Sequence, residues 1–342
     1  MKNNIFSRAP VRICDIGGWT DTWFYPEGAV FSICIDLFSH VKIVPNNTSK
    51  IKIISENLNI QTEIQDIRKI EYNGNLDLLK AAVKRMCIEK GINIYIKTDV
   101  PPGCGTGTSA SVSVALIAAL ACFSCKKLKP NEIAKLAHQL EIDELKLESG
   151  VQDQYAATYG GINFMEIDYP SVKIVPISLN DDQRTNLEKE LLLIYLGSRS
   201  SNEMHKVVIR NYQNKDDLTI KSLEIIKNCA YEMIKAIKTE DLNLMGNIMN
   251  KNWEAQKNLH PSMVNPLIKK AEYIAKKNGA IGFKLNGAGG GGSATILADI
   301  GRIYQLKRKF IMEGFQILTF NLEFKGVQTW TDGNNKKIVN TN

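Results

Sequence analysis

The chain has 342 residues, 44% apolar and 23% charged, which is typical of a globular protein with one large or two smaller domains. The formal net charge is +7, but the Lys and Arg residues are not clustered in a basic block. Composition therefore favours an anionic small-molecule substrate over a nucleic-acid partner. The longest apolar run, 112–125, is too short to span a bilayer, and the first residues lack the apolar core of a signal peptide. Seven scattered cysteines argue against a disulfide framework. We therefore expect a cytoplasmic protein without a membrane partner.

The predicted elements alternate irregularly between strands and helices along the chain. β-Branched residues between turn signals predict strands at 5–14, 30–37, 41–44, 51–55, 60–64, 92–98, 162–167, 172–177, 191–196, 280–285, 293–298 and 316–321. Helical spacing predicts helices at 76–90, 132–147, 151–159 and 302–312, and a long helical region at 202–277 with breaks near 214, 238 and 260. Polar residues 180–186 are interpreted as a boundary between two halves. This order predicts an α+β fold rather than a doubly wound one.

A glycine-rich loop after the predicted strand 92–98, followed by an apolar helix, carries the most chemical information. Glycine lets the backbone approach a ligand closely, and a helix N-terminus favours phosphate. The loop lacks the Gly-Lys-Ser/Thr ending of a P-loop, so a tightly packed structural turn remains the alternative to a phosphate site. The candidate nucleotide-binding residues are Pro102, Gly103, Cys104, Gly105, Thr106, Gly107, Thr108 and Ser109.

A second glycine cluster, 287–292, formally matches the dinucleotide fingerprint G-x-G-x-x-G. The residues that follow it predict a strand, whereas that fingerprint opens a helix, so a Rossmann-type site is disfavoured. We interpret the cluster as a loop between two strands that brings bare backbone against another loop or a ligand. A tight structural hairpin fits equally well.

Three segments in this order resemble the three motifs of the GHMP kinases, the superfamily of galactokinase, homoserine kinase, mevalonate kinase and phosphomevalonate kinase. They are APVRICDIGGWTDT at 9–22, the glycine loop at 102–109 and KLNGAGGG at 284–291. The resemblance implies two domains with the active site in the cleft between them. These would be an N-terminal α/β domain similar to ribosomal protein S5 at 1–185 and a C-terminal ferredoxin-like α+β domain at 186–332, followed by a flexible tail at 333–342.

The resemblance also implies ATP-dependent phosphoryl transfer with Mg²⁺. Residues 150–155, GVQDQY, look like the segment that carries the catalytic Asp in sugar kinases of the family. Asp153 would then accept the proton of a sugar hydroxyl, and Arg12 would steady Asp153 and the transferring phosphoryl group. Glu141, twelve residues before Asp153, and Ser109 would bind Mg²⁺ through oxygen. The alternatives to Glu141 are Asp143, Glu144 and Glu148.

The first motif implies the substrate side of the site. Asp21 would accept hydrogen bonds from sugar hydroxyls, the alternative being an Asp that holds its own turn. The other substrate-binding candidates are Gly18, Trp19, Thr20, Gly289 and Gly290. Val11 and Thr106 depart from the usual motifs without removing a catalytic group.

The segment 17–22 lacks the Gly-Glu-His of galactokinases and looks closer to L-fucokinase domains and heptose 7-phosphate kinases. Members of that branch phosphorylate the anomeric (C1) hydroxyl on the way to a nucleotide sugar. We therefore expect an ATP-dependent sugar 1-kinase acting on heptose 7-phosphate. The alternatives are a free-sugar 1-kinase of the fucose or galactose type and a non-catalytic sensor of the same fold, and a homodimer stays open. Candidate cations for a substrate phosphate are Arg199, Lys206 and Arg210, with ordinary surface charge as the alternative.

Overall fold

The computed structural model describes residues 3–89, 91–198 and 202–333. Within these ranges the strands form one sheet of eight and one of four. The strands are β1 (Ile5–Ile16), β2 (Glu27–Pro45), β3 (Ile51–Ser55), β4 (Ile60–Ile64), β5 (Ile92–Thr98), β6 (Ile162–Asp168), β7 (Ser171–Ile177), β8 (Leu191–Tyr195), β9 (Ala280–Leu285), β10 (Ser293–Ala298), β11 (Gln316–Leu318) and β12 (Gln328–Thr331). The α-helices are α1 (Asp77–Arg85), α2 (Thr108–Phe123), α3 (Pro130–Gln139), α4 (Gln152–Tyr159), α5 (Asp181–Glu190), α6 (Asn202–Gln213), α7 (Asp217–Lys238), α8 (Leu242–Leu259), α9 (Pro266–Lys277) and α10 (Ile303–Met312).

The larger sheet has the strand order β12-β1-β2-β5-β3-β4, with β6 beside β2 and β7 beside β6. Strand β2 is long enough to serve two neighbours, because residues 27–33 pair with β6 and residues 39–45 pair with β5. The register between β1 and β2 shifts after Pro10 and again after Ile13. Such irregularities re-aim side chains, and they flank the part of β1 that carries Arg12 and Asp15.

Helix α2 packs on β1 and β2, and its residues from Ala110 to Ala121 are buried on every side. This explains its uniformly apolar sequence, since a helix covered all round needs no polar face. Neither α2 nor any other helix in the described ranges is long and apolar enough to cross a membrane. The buried body of α2 fixes the place of its N-terminus, which follows the glycine loop.

The smaller sheet is antiparallel, with the order β11-β8-β10-β9, and α8, α9 and α10 pack against it. The loop between β9 and β10 holds the second glycine cluster and returns to the first half of the chain. There, Oδ1 of Asn286 accepts a hydrogen bond of 3.0 Å from the Cys14 amide. The two halves therefore meet where β1, the first glycine loop and the second glycine loop come together.

The α+β prediction with two domains is confirmed, but several predicted boundaries are wrong. The helix predicted at 76–90 ends at Arg85, and the one predicted at 132–147 ends at Gln139 and continues as a π-helical turn, Leu140–Glu144. Residues 180–186, interpreted as a boundary between two halves, form the N-cap and first turns of α5, where Asn180 and Gln183 form a capping box. The domain boundary at 185 stays a prediction. Strand β12 pairs with β1, so the end of the proposed second domain lies in the larger sheet.

Candidate active site

A cleft of about 550 Å³ opens where the two halves of the chain meet. The N-terminus of α2 faces it from one side, and the segments after β1 and before α4 face it from the other. The sequence-predicted residues that line it are Arg12, Trp19, Asp21, Gly103, Cys104, Gly105, Gly107, Thr108, Ser109, Glu141, Asp153 and Lys206. Most of the predicted site, drawn from distant parts of the chain, therefore shares one cavity.

The first glycine loop needs glycine for conformation and for space. Gly105 and Gly107 have φ of +77° and +72°, which L side chains rarely adopt. A Cβ on Gly105 would lie 2.8 Å from the Asn286 carbonyl oxygen, and one on Gly107 would lie 3.0 Å from Cγ of Asp153. Gly107 is also the N-cap of α2, so the free N–H groups of the first helical turn point into the cleft beside Thr108. This arrangement can bind phosphate.

Two loop residues predicted to contact nucleotide do not line the cleft. Thr106 is fully buried, and its carbonyl accepts a hydrogen bond of 3.0 Å from the Arg12 amide. The carbonyl of Pro102 accepts a hydrogen bond of 3.3 Å from the hydroxyl of Tyr195. Both residues shape the loop instead of facing a ligand in the cleft.

Arg12 and Asp153 form the central ion pair of the cleft. Nε of Arg12 donates to Oδ1 of Asp153 at 2.8 Å, and Nη1 donates to the Gly105 carbonyl. Although burial alone would lower it, the pKa of Arg12 is raised by the carboxylates of Asp15 and Asp153, so the guanidinium stays charged. The Asp153 side chain is 27% exposed, against 4% for Arg12. The carboxylate is thus oriented from behind by Arg12 and remains open to a ligand.

Asp21 is buried beside the start of α4. Its Oδ2 accepts a hydrogen bond of 3.1 Å from the Gln152 amide, and its carbonyl accepts one of 3.0 Å from the Val151 amide. Burial raises the pKa of Asp21 to about 6 despite the bond from Gln152. A Cβ on Gly150 would lie 2.0 Å from Oδ2 of Asp21, so this contact requires glycine there. Asp21 thus holds the segment that leads to Asp153 rather than its own turn.

Glu141 lies on the π-helical turn after α3 and reaches the same cleft. Its Oε2 accepts hydrogen bonds from the Ser149 hydroxyl and, at 2.9 Å, from Nε2 of Gln154. Burial raises the pKa of Glu141 to about 7. The described residues contain no cluster of three or more His, Cys, Asp or Glu suited to a metal. One carboxylate and the Ser109 hydroxyl are nevertheless a fitting donor set for Mg²⁺, which takes few protein oxygens and keeps several waters.

Trp19 lines the substrate side of the cleft, where its ring stacks on His205 with centroids 4.8 Å apart. Its Nε1 is buried without a hydrogen-bond partner among the described residues. A buried donor of this kind costs free energy until a ligand oxygen accepts a hydrogen bond from it. Trp19 therefore offers both an apolar surface and an unsatisfied hydrogen-bond donor.

Four of the residues predicted to bind substrate do not line the cleft. Thr20 is fully buried, and its hydroxyl donates to the carbonyls of Gly17 and Ala29, at 2.7 Å and 3.2 Å. The other three lie outside the cleft lining. A Cβ on Gly18 would meet Asp15, one on Gly289 would meet Met263, and the amide of Gly290 donates to the Met263 carbonyl. Gly287 and Ala288 line the cleft in their place.

Of the suggested phosphate-binding cations that the structure describes, Lys206 alone lines the cleft. Arg210 is exposed one turn later on α6 and does not line it, and Arg199 lies outside the described residues. Lys146, which the sequence did not single out, lines the cleft from the segment before α4. Across the described ranges, neither Lys146 nor Lys206 makes an ion pair.

Family comparisons agree with this geometry. The family model of the GHMP kinase N-terminal domain matches residues 76–161, and the family model of the GHMP kinase C-terminal domain matches residues 233–311. The chain belongs to the GHMP kinases. The resemblance stated from three sequence motifs, the two-domain fold and the expectation of a kinase are confirmed.

Two relatives and one solved structure illustrate the similarity. The chain is 28% identical over 337 residues to the D-glycero-alpha-D-manno-heptose 7-phosphate kinase of Campylobacter jejuni, covering 95% of this chain and 98% of the relative. It is 29% identical over 324 residues to the bifunctional fucokinase/GDP-fucose pyrophosphorylase of Arabidopsis thaliana, covering 88% of this chain but only 30% of that longer protein. A crystal structure of a D-glycero-D-manno-heptose 1-phosphate kinase from Bacteroides thetaiotaomicron shares the fold, with a TM-score of 0.78, 23% identity, and coverage of 95% and 98%.

Sequence reasoning missed several polar residues of this GHMP kinase site. Asp15 is buried next to Arg12, and Ser149 and Gln154 hold Glu141. One available signal was a charged residue inside an otherwise apolar strand, since Asp15 interrupts 13–16 of β1. No comparable signal identifies Ser149, because a serine before glycine is common in any loop.

Proposed function

We propose that this GHMP kinase transfers the γ-phosphoryl group of ATP to the anomeric hydroxyl of a sugar phosphate, with heptose 7-phosphate as the first candidate. The observation that carries the proposal is the Asp153 carboxylate, whose Oδ1 accepts from Nε of Arg12 at 2.8 Å and which lies in the cleft beside Gly107, the N-cap of α2. Phosphoryl transfer to a hydroxyl group requires a base and a phosphate-binding helix N-terminus within one cavity.

Each group has a distinct part in the proposed transfer. Asp153 accepts the proton of the attacking hydroxyl, which otherwise is a poor nucleophile. Arg12 holds the Asp153 carboxylate in place through its Nε, and it offsets charge on the phosphoryl group as that group moves. The amides at the start of α2 and in the loop from Gly103 bind the phosphates of ATP. Asp21 and Trp19 supply an acceptor and a donor for the hydroxyls of the sugar.

Magnesium fits the proposed site through the side-chain oxygens of Glu141 and Ser109, two residues that line the same cleft. When bound there with ATP, Mg²⁺ supplies positive charge against the phosphates. Ser149 and Gln154 orient Glu141 for this task, because each donates a hydrogen bond to the same carboxylate oxygen.

Two cleft lysines that make no ion pair within the described ranges support a substrate that already carries a phosphate. Lys146 and Lys206 are exposed at its edge and approach from different segments of the chain. A phosphate contacting both would gain two charge-assisted hydrogen bonds. The Campylobacter jejuni relative, a D-glycero-alpha-D-manno-heptose 7-phosphate kinase, agrees with this proposal.

The test is an ATP-turnover screen over free sugars, sugar 6-phosphates and D-glycero-D-manno-heptose 7-phosphate, with the product identified by ³¹P NMR. We expect turnover with the heptose phosphate and a new phosphate on C1. Turnover confined to L-fucose or galactose would replace the sugar-phosphate assignment by a free-sugar kinase. Nucleotide and sugar binding without any turnover would replace the enzyme by a sensor.

A lysine substitution makes the screen sharper. Lys206→Met should raise KM for the phosphorylated substrate about tenfold, because one charge-assisted hydrogen bond is lost, while KM for ATP stays unchanged. Arg210→Met is the matched control, since Arg210 is on the same helix but outside the cleft. Equal effects of the two substitutions would remove Lys206 from the substrate site.

A further inference from the structure

Asp15, near the end of β1, is a buried carboxylate to which the proposed function gives no part. Its side chain is 1% exposed, and its two oxygens lie 3.2 Å and 3.0 Å from the donating amide of Gly287. Nζ of Lys284 lies 3.5 Å from Oδ1, and Nη2 of Arg12 lies 3.8 Å from Oδ2. The Asp15 carboxylate therefore links two parts of the site. One is Arg12, which orients the proposed base Asp153, and the other is the glycine loop between β9 and β10.

Lys284 provides the compensating charge for this carboxylate. It is 1% exposed, and its Nζ donates to Oε1 of Gln256 at 2.9 Å and to the Leu285 carbonyl. A buried carboxylate is tolerated when it is paired and hydrogen-bonded, as Asp15 is here. Nε2 of Gln256 in turn donates to the Gly287 carbonyl at 2.9 Å. The Gly287 residue is thus held at its amide by Asp15 and at its carbonyl by Gln256.

The guanidinium of Arg12 lies between two carboxylates. Asp153 binds Nε at 2.8 Å, while Asp15 lies on the side of Nη2, and Nη1 is held by the Gly105 carbonyl. Three separate partners therefore fix the direction of a planar group. Without the charge of Asp15, the guanidinium loses its attraction on the side away from Asp153, and both groups gain freedom to turn.

We propose that Asp15 and Lys284 are positioning residues of the phosphoryl transfer. They fix the orientation of Arg12, and through it that of Asp153, and they dock the 287–292 loop against the cleft. This inference rests on the proposed function, because it is that function which gives Arg12 and Asp153 their parts in the reaction. A misplacement of about 1 Å at a reacting group can reduce the rate about a hundredfold, so such remote contacts affect turnover.

The test is a double-mutant cycle between Asp15 and Arg12, read as kcat and KM for ATP. Asp15→Asn keeps the shape and one acceptor for Gly287 but removes the charge. We expect kcat to fall about tenfold or more with KM for ATP within about twofold. In an Arg12→Gln chain, assayed by slow product accumulation, the same substitution should change kcat less than about twofold, because Asp15 acts through Arg12.

A second variant and a control separate positioning from folding. Asp15→Asn with Lys284→Met removes both buried charges, so it leaves no unpaired ammonium, and it should also lose kcat at an unchanged melting temperature. Glu272→Gln is the matched control, because Glu272 is a largely buried carboxylate held by Lys276 at 2.7 Å and lies outside the cleft. It should keep kcat.

The outcomes separate a failure of the positioning inference from a failure of the proposed function. An equal loss from Asp15→Asn in both backgrounds, a loss matched by Glu272→Gln, or wild-type kcat in the doubly neutral variant would overturn the positioning inference and leave the kinase proposal standing. Absence of sugar-dependent turnover in the wild-type chain would overturn the proposed function, and the inference with it.

Discussion

Oδ1 of Asp153 accepts a hydrogen bond of 2.8 Å from Nε of Arg12, although 141 residues separate the two in sequence. Arg12 belongs to a strand buried in the larger sheet, whereas Asp153 is in the first turn of α4. The pair thus depends on the packing of two rigid elements, and it leaves the other side of the carboxylate to the cleft.

The most direct prediction concerns that carboxylate. Asp153→Asn keeps the size of the side chain but cannot accept a proton at neutral pH, so kcat should fall at least about a hundredfold. Nucleotide affinity, measured by titration calorimetry, should stay close to that of the wild type. Asp36→Asn, at a half-buried residue outside the cleft that accepts a hydrogen bond from Asn321, is the control. A variant that retained normal turnover would exclude Asp153 as the base.

Substitution of Gly107 separates the effect of a steric clash from the effect of backbone strain. Gly107→Ala places a Cβ 3.0 Å from Cγ of Asp153 at a φ of +72°, whereas Gly74→Ala has a similar φ of +85° with no atom within 4 Å. Both substitutions should lower the free energy of unfolding by about 1–3 kcal/mol. Only Gly107→Ala should also reduce kcat. Urea denaturation and steady-state kinetics measure the two effects, and a similar loss of kcat in both variants would contradict this account.

Ser109 is the simplest test of the magnesium assignment. Ser109→Ala removes one oxygen ligand, so the Mg²⁺ concentration for half-maximal turnover should rise roughly tenfold at saturating ATP. Ser113→Ala is the control on the same helix, since the Ser113 hydroxyl donates to the Ser109 carbonyl at 3.0 Å but lies outside the cleft lining. Identical Mg²⁺ titrations for Ser109→Ala and the wild type would remove Ser109 from the metal site.

Asp21 couples stability to pH. Its pKa is raised by burial from 3.8 to about 6, so the folded chain holds this proton more tightly than the unfolded chain. Its contribution to stability is therefore greatest below pH 4 and declines until the pH exceeds 6. Asp21→Asn lacks this decline, so its unfolding free energy relative to the wild type should rise by about 2–3 kcal/mol between pH 4 and pH 7.

Urea denaturation at several pH values measures this difference, with Asp168→Asn as an exposed control that should run parallel to the wild type. The same Asp21→Asn variant should bind sugar more weakly. A pH-independent difference between Asp21→Asn and the wild type would show that burial does not perturb this carboxyl.

The elements were largely predictable from the sequence, because β-branched runs and helical spacing are local signals. Strand β3 and strand β5 have the predicted bounds, whereas the helix predicted at 132–147 ends at Gln139. The end of that helix depends on a π-helical turn, which places Glu141 in the cleft and has no local sequence signal.

The residues of the candidate site also differ in how well the local sequence predicts their positions. The glycine loop could be predicted because its φ values and the close approach of Asp153 demand glycine. The burial of Thr20 could not, since it depends on the carbonyl of Ala29 on the neighbouring strand. Asp15 required tertiary structure as well, because its partners Lys284 and Gly287 lie about 270 residues away along the chain.

The pairing of β12 with β1 has a consequence for how the chain is made. Ser7 and Thr329 lie opposite one another, and the rings of Phe6 and Trp330 stack with centroids 5.9 Å apart. During synthesis on the ribosome, β1 therefore has an unpaired edge until residues 328–331 have emerged. Such an edge can pair with other chains, so protection of the nascent protein against aggregation depends on some of the last residues of the described chain.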